Sequence, residues 1–186
     1  MDSMTVKATR RSTSVLLDAV IVIEAHALGI WKNLLSKVEI LVPSTVVRNE
    51  AFYFNTKKRE KRLAIQISKS IKDGKIAEVA ATAEELRSLE GIFDYATLQG
   101  LDPGELEALA LLESGRIKGA LFCTADGVAI RALALMGHSE LGISLERLLQ
   151  EVGLQKPLDR QYKEDFFRYH LTRGQQDRIT GIGLKK

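Results

Sequence analysis

Short apolar runs alternate with stretches of helical period along most of this chain. Val15 to Leu17 predicts a first buried strand, and in EAHALGIWKNLLSK the residues Ala27, Ile30, Trp31 and Leu34 fall at helical spacing. VEILVP reads as a second strand. Pro43 stands where a helix can begin, because its fixed φ and missing N–H are tolerated in a first turn, and STVVRNEAFYF continues with a helical period. GKIAEVA reads as a third strand. Thr82 and Glu85 have capping-box spacing ahead of AEELRSLEGIF, and another helix opens at DPGELEALALLES. GALFCTAD is the clearest later strand and passes into the helix GVAIRALALMG, which Gly137 is placed to end; LGISLERLLQEVG adds a short strand and helix. This alternation predicts an α/β domain around a parallel sheet. From about Gln155 the pattern turns basic and aromatic without a strand. The chain therefore divides into a domain at 14–154 and a C-terminal tail or helix at 155–186.

Composition narrows what such a domain does. With 186 residues, 45% of them apolar, the chain is long enough for one domain with a real core. A net charge of +3 tilts toward a polyanionic partner. Cys123 is the single cysteine, which excludes an intramolecular disulfide and a cysteine-based zinc site and fits a reducing cytoplasm. No apolar stretch approaches bilayer-spanning length and the N-terminus carries no apolar signal region, so a soluble cytoplasmic protein without membrane contact is expected. No phosphate-binding glycine loop and no serine triad pattern occurs.

The candidate chemistry lies in carboxylates at element edges. Asp18 ends the first strand and Asp126 ends the later one, so both belong at the carboxyl edge of a parallel sheet, where open α/β folds place ligands. Glu50 shares a helical face with Val46, Val47 and Phe54, which aims it at the core, and Glu105 shares one with Ala108, Leu109 and Leu112. Four acids converging on one edge repel one another unless a divalent cation neutralises them. Oxygen-only ligands select a hard ion, Mg²⁺ or Mn²⁺.

Four segments resemble the PIN-domain nucleases, including the VapC-like toxin ribonucleases: VLLDA with Asp18, VPSTVVRNEA with Glu50, GLDPGELEALALL with Glu105, and LFCTADGVAIRALA with Thr124 and Asp126. The resemblance runs from about Ser14 to Leu154. It implies a three-layer α/β/α PIN-like fold with a central parallel sheet, and metal-dependent endonucleolytic hydrolysis of RNA phosphodiester bonds. It further implies that Asp18, Glu50, Glu105 and Asp126 bind the metal and that the Thr124 hydroxyl supports them. A toxin of this kind has an antitoxin protein as partner, and a homodimer is expected. Two positions depart from the family pattern: Ala19 follows the first acid where a small polar residue is common, and Gly127 follows Asp126. A catalytically weak or inactive PIN-like RNA-binding or scaffold protein is the alternative reading.

Each of these residues also has an ordinary structural role open to it. Asp18 and Asp126 suit helix N-caps; Glu105 completes a capping box with Asp102 and Pro103; Glu50 can reach solvent; Thr124 suits a strand. Glu24 and His26 are two apart and fall on different sides of a helix, which predicts solvated surface. Trp31 and Met136 read as core, and the sequence assigns His138 and His170 no partners. For RNA contact the concentrated basic run Lys57, Lys58, Arg59, Lys61 and Arg62 is the candidate, against a plain solvated helix face. Tail aromatics Tyr162, Phe166, Phe167 and Tyr169, interleaved with arginines, suit either stacking on unpaired bases or, the favoured reading, a helix packed on the domain or a second subunit.

Overall fold

The computed structural model describes residues 13–50, 53–55 and 62–186, with 49, 50, 53–55 and 62 described by backbone alone. Strand β1 (Ser14–Leu17) leads into helix α1 (Ala19–Ala27), then α2 (Trp31–Leu35) and β2 (Glu39–Pro43). A π-helical turn (Val46–Glu50) precedes β3 (Tyr53–Asn55) and β4 (Arg62–Ala64), which form a separate antiparallel pair. Next come α3 (Ile67–Lys72), β5 (Ile76–Val79), α4 (Ala83–Glu90), α5 (Tyr95–Gln99) and α6 (Pro103–Glu113). The chain continues through β6 (Leu121–Cys123), α7 (Gly127–Met136), β7 (Gly142–Ile143), α8 (Leu145–Glu151), a 3₁₀ turn (Arg160–Tyr162) and α9 (Glu164–Thr180).

The main sheet has five strands, all parallel, in the order β5-β2-β1-β6-β7. Successive side chains of a strand point to opposite faces, and β1 shows the result. Val15 and Leu17 pack with α1, α2, α3 and α8, whereas Leu16 packs with α4, α6 and α7. Covered on both sides, the sheet is the middle layer of an α/β/α sandwich. Val15, Leu16 and Leu17 are fully buried, so Leu16→Ala would cost about 2–5 kcal/mol.

Several boundaries differ from those the sequence pattern predicts. The helical pattern over 24–37 is two helices, because Asp18 caps α1 directly after β1 and Gly29, at φ 69°, turns the chain before α2. Pro43 closes β2, paired with Val79, rather than opening a helix; the helical segment after it ends by Glu50, and 53–55 is a strand. The helix predicted over 83–93 stops at Glu90, and Phe93 instead makes a bridge with Leu184. α3, α5, β3 and β4 are too short to show a period, which is why the pattern does not reveal them.

The C-terminal segment docks on the domain. Helix α9 lies along α7 with Gly174 at the crossing, where a Cβ would stand 2.4 Å from the Arg131 carbonyl oxygen. The Arg131 guanidinium bonds Asp177 across the contact, with Nε 3.1 Å from Oδ2, and Arg178 Nη1 donates to the Leu135 carbonyl at 3.0 Å. Tyr162 and Phe167 are buried, as are Trp31 and Met136. Among the described residues, no helix is long and apolar enough to cross a membrane.

Candidate functional site

β1 pairs with β2 on one side and β6 on the other, so the chain's path across the sheet reverses at β1. Open parallel sheets form a crevice at such a point, outside the carboxyl ends of the strands. Leu17 is in register with Cys123, and the next residues out are Asp18 and Thr124. The Thr124 hydroxyl donates to Asp18 Oδ2 at 2.7 Å and accepts from the Asp126 N–H at 3.1 Å. The Ala19 N–H donates to Asp18 Oδ1 at 2.6 Å, so backbone and threonine orient the first acid where Ala19 supplies no polar side chain.

Asp126 Oδ1 accepts from the N–H groups of Val128, at 2.6 Å, and Ala129, at 3.1 Å. Asp18 and Asp126 are thus helix N-caps, as their ordinary roles predict. Capping is also what turns each carboxylate toward the crevice, since the N-terminus of α1 or α7 begins there.

Glu105 enters from α6. Its Oε2 accepts from the Asp102 N–H at 2.9 Å, and Pro103 occupies the first helical position. Glu105 is 4% exposed. Burial, followed by the charges of Asp18, Asp126 and Asp102, pushes its carboxyl up to about 8, against the pull of the Asp102 N–H. At neutral pH it holds a proton unless something positive replaces it. The acids line an open cleft of about 570 Å³ together with Ile23 and Gln161. Cys123 behind Asp18 is buried; burial and that charge raise its thiol, so it stays protonated and is no nucleophile.

Whether these residues suit a cation is decided by the repulsion itself. A divalent ion beside these acids would offset their repulsion and favour the charged form of Glu105. Among the described residues, no three His, Cys, Asp or Glu side chains are set to grip one ion directly. Carboxylates are oxygen donors of the type hard ions take, and Mg²⁺ commonly takes only one or two of them while keeping its waters. The Glu50 backbone closes the π-helical turn after β2, and its side chain lies outside the described residues. Lys57, Lys58, Arg59 and Lys61 also lie outside them; Arg62 opens β4, its side chain undescribed.

Four features escape the sequence pattern. Asp102 adds to the negative field at Glu105. Gln161 reaches the cleft from the C-terminal segment. Glu24 is buried, not solvated, and lies close to the buried Tyr162, whose phenol pKa is raised by burial and then by the Glu24 charge. His170 stands against Gly127: a Cβ there would meet its ring at 2.4 Å, which explains the glycine after Asp126. Burial and Arg131 lower the His170 pKa, Asp126 opposes them, and Arg160 adds to the lowering. His138 too has a partner, with Nε2 2.8 Å from Glu113 Oε2, and the half-buried His26 stacks on Trp31 at 4.5 Å. The contacts of Gln161, Tyr162 and His170 join segments far apart in the chain, and no local spacing announces them. No family model and no curated protein matches the sequence.

Proposed function

We propose that this protein is a Mg²⁺- or Mn²⁺-dependent endoribonuclease of the PIN-domain kind, acting on RNA in the cytoplasm. One observation carries the reading: acids from three separate segments, Asp18, Glu105 and Asp126, line one cleft at the sheet's reversal point, where burial first and then the neighbouring charges raise the Glu105 carboxyl to about 8. Keeping such a set at the mouth of an open cleft is unfavourable unless a cation belongs there. The resemblance described above adds the substrate class, RNA.

Asp18 and Asp126 are the residues to hold the ion, with Glu105, and Glu50 as the fourth acid, ligating it or orienting its waters. When bound, the ion supplies a lowered water pKa and neutralises charge developing on the phosphoryl oxygens. The protein contributes the rest. Thr124 locks Asp18 and the Asp126 backbone in one geometry, and the Asp102 N–H holds the Glu105 carboxyl at the rim. Without a metal the Glu105 carboxyl gives up its proton only as the pH rises through about 8. The reading carries with it a homodimer and an antitoxin protein covering the cleft.

The deciding experiment is cleavage of an end-labelled single-stranded RNA pool in Mn²⁺ or Mg²⁺, with EDTA and Asp126→Asn as controls. Cutting abolished by both controls is expected. Folded protein that binds RNA without cutting it would replace this reading with an RNA-binding or scaffold role.

A further inference from the structure

Of the C-terminal segment, Gln161 in the 3₁₀ turn ahead of α9 is the residue that lines the acidic cleft. The turn around it is closed by the Tyr162 N–H, which donates to the Asp159 carbonyl at 3.1 Å. It is also anchored. Tyr162 is 6% exposed, with its phenol close to Glu24 of α1, the helix that Asp18 caps. Just beyond, Glu164 is tied to α8: its N–H donates to Glu146 Oε2 at 2.8 Å, and its own Oε2 accepts from the Ser144 hydroxyl at 2.7 Å. Gln161 itself is exposed between these fixed points.

What Gln161 adds to the cleft is a donor. Among the described residues, the polar side chains lining it are Asp18, Asp102, Glu105, Asp126 and Gln161, and the acids, once charged, only accept. Backbone N–H groups at the helix starts are already engaged: that of Ala19 with Asp18, that of Asp102 with Glu105, and those of Val128 and Ala129 with Asp126. A phosphodiester also carries only acceptors, so its oxygens need a cation or a donor on leaving water. The Gln161 amide has two N–H groups; closeness to the Tyr162 phenol, whose charged form it favours, still leaves one for a ligand. A neutral amide suits the place, because a lysine or arginine there would pair with the acids and compete with the cation.

We infer that Gln161 is a substrate-contacting residue whose side-chain amide donates to a non-bridging oxygen of the RNA phosphodiester held at the acids. This rests on the nuclease reading and gives that site a substrate contact besides the metal. Tyr162 is a positioning residue, acting through the turn that presents Gln161.

Two measurements on the full-length chain test this: KM and kcat for cleavage of a labelled oligouridine in Mn²⁺, and anisotropy of the same oligonucleotide in Ca²⁺, with a gel confirming that it stays intact. Gln161→Met keeps the length but not the donor and is expected to raise KM and weaken binding roughly tenfold, with kcat within about twofold of wild type. Gln161→Glu, isosteric but only an acceptor, should weaken binding further. Mn²⁺ affinity of Gln161→Met by calorimetry should match wild type, and melting curves confirm that each variant folds. Wild-type oligouridine affinity in folded Gln161→Met would overturn the inference, even if the protein cuts RNA. So would a matching loss of Mn²⁺ affinity, which would put Gln161 on the ion. Weakened binding in both variants without any cutting by wild type would sustain the contact and sink the nuclease reading. A wild-type chain that neither binds nor cuts RNA would overturn both.

Discussion

Helix α6 carries two buried glutamates, two residues apart, and they end in opposite situations. Glu107 faces the ends of β2 and β5, where its oxygens accept from the Thr45 N–H at 2.7 Å and the Ala81 N–H at 3.0 Å. It is a staple between loops and α6. Glu105 faces the cleft, where burial and then the charges of Asp18, Asp126 and Asp102 make its own charge unwelcome. Both are under a tenth exposed, so burial alone does not mark a functional acid. What separates them is the partner set: N–H groups meet both oxygens of Glu107, whereas Glu105 has the Asp102 N–H on one oxygen and carboxylates around it.

The contrast breaks first at the cleft. Asp126→Asn and Glu105→Gln each keep a capping oxygen, so the fold is expected to survive. Losing the charge should lower metal-dependent RNA cleavage roughly 100-fold or more, read as kcat/KM. If either variant cuts normally, the cleft acids are structural, as Glu107 is.

Glu107→Ala should act on the other axis. It leaves two partly buried N–H groups without their Glu107 acceptor, a cost of about 1–3 kcal/mol in urea unfolding, while Mn²⁺ affinity per folded molecule stays near wild type. A large loss of metal affinity at unchanged stability would erase the distinction.

Thr124→Val keeps the shape but removes the hydroxyl that joins Asp18 to Asp126. Mn²⁺ affinity by calorimetry is expected to fall about tenfold.

The smallest effect is in the pH profile of the metal-free protein. A carboxyl whose folded-state pKa lies above its ordinary 4.5 binds its proton more tightly in the native state. Its contribution favours folding below about pH 4.5 and is lost as the pH rises through about 8. Tm should therefore decline across that window, and Glu105→Gln should flatten the decline and raise Tm at pH 9 by roughly 2–4 °C, about 1 kcal/mol. Mn²⁺ affinity should rise with pH over the same range, because binding displaces the proton.

Much of the site is legible in the sequence because it is built from strand ends and helix starts. Asp18 and Asp126 follow recognisable apolar runs, and Asp102-Pro103-Gly104-Glu105 spells its own cap. Glu107 is hidden because an acid within a continuous apolar helix shows neither which neighbours it meets nor whether they donate. Glu24 misleads for the same reason: spacing puts it off the His26 face, and only the return of the chain to Tyr162 buries it.

By itself, then, the sequence determined the alternation of strand and helix, the parallel sheet and the candidate acids at its rim, because period and capping chemistry act over a few residues. Tertiary structure alone decided the strand order, with β1 flanked by β2 and β6, and so decided that Asp18 and Asp126 are neighbours. It also brought Gln161 to the cleft and His170 against Gly127, next to Asp126, from the far end of the chain. Contacts over such separations depend on which surfaces bury each other, and local pattern carries no record of that.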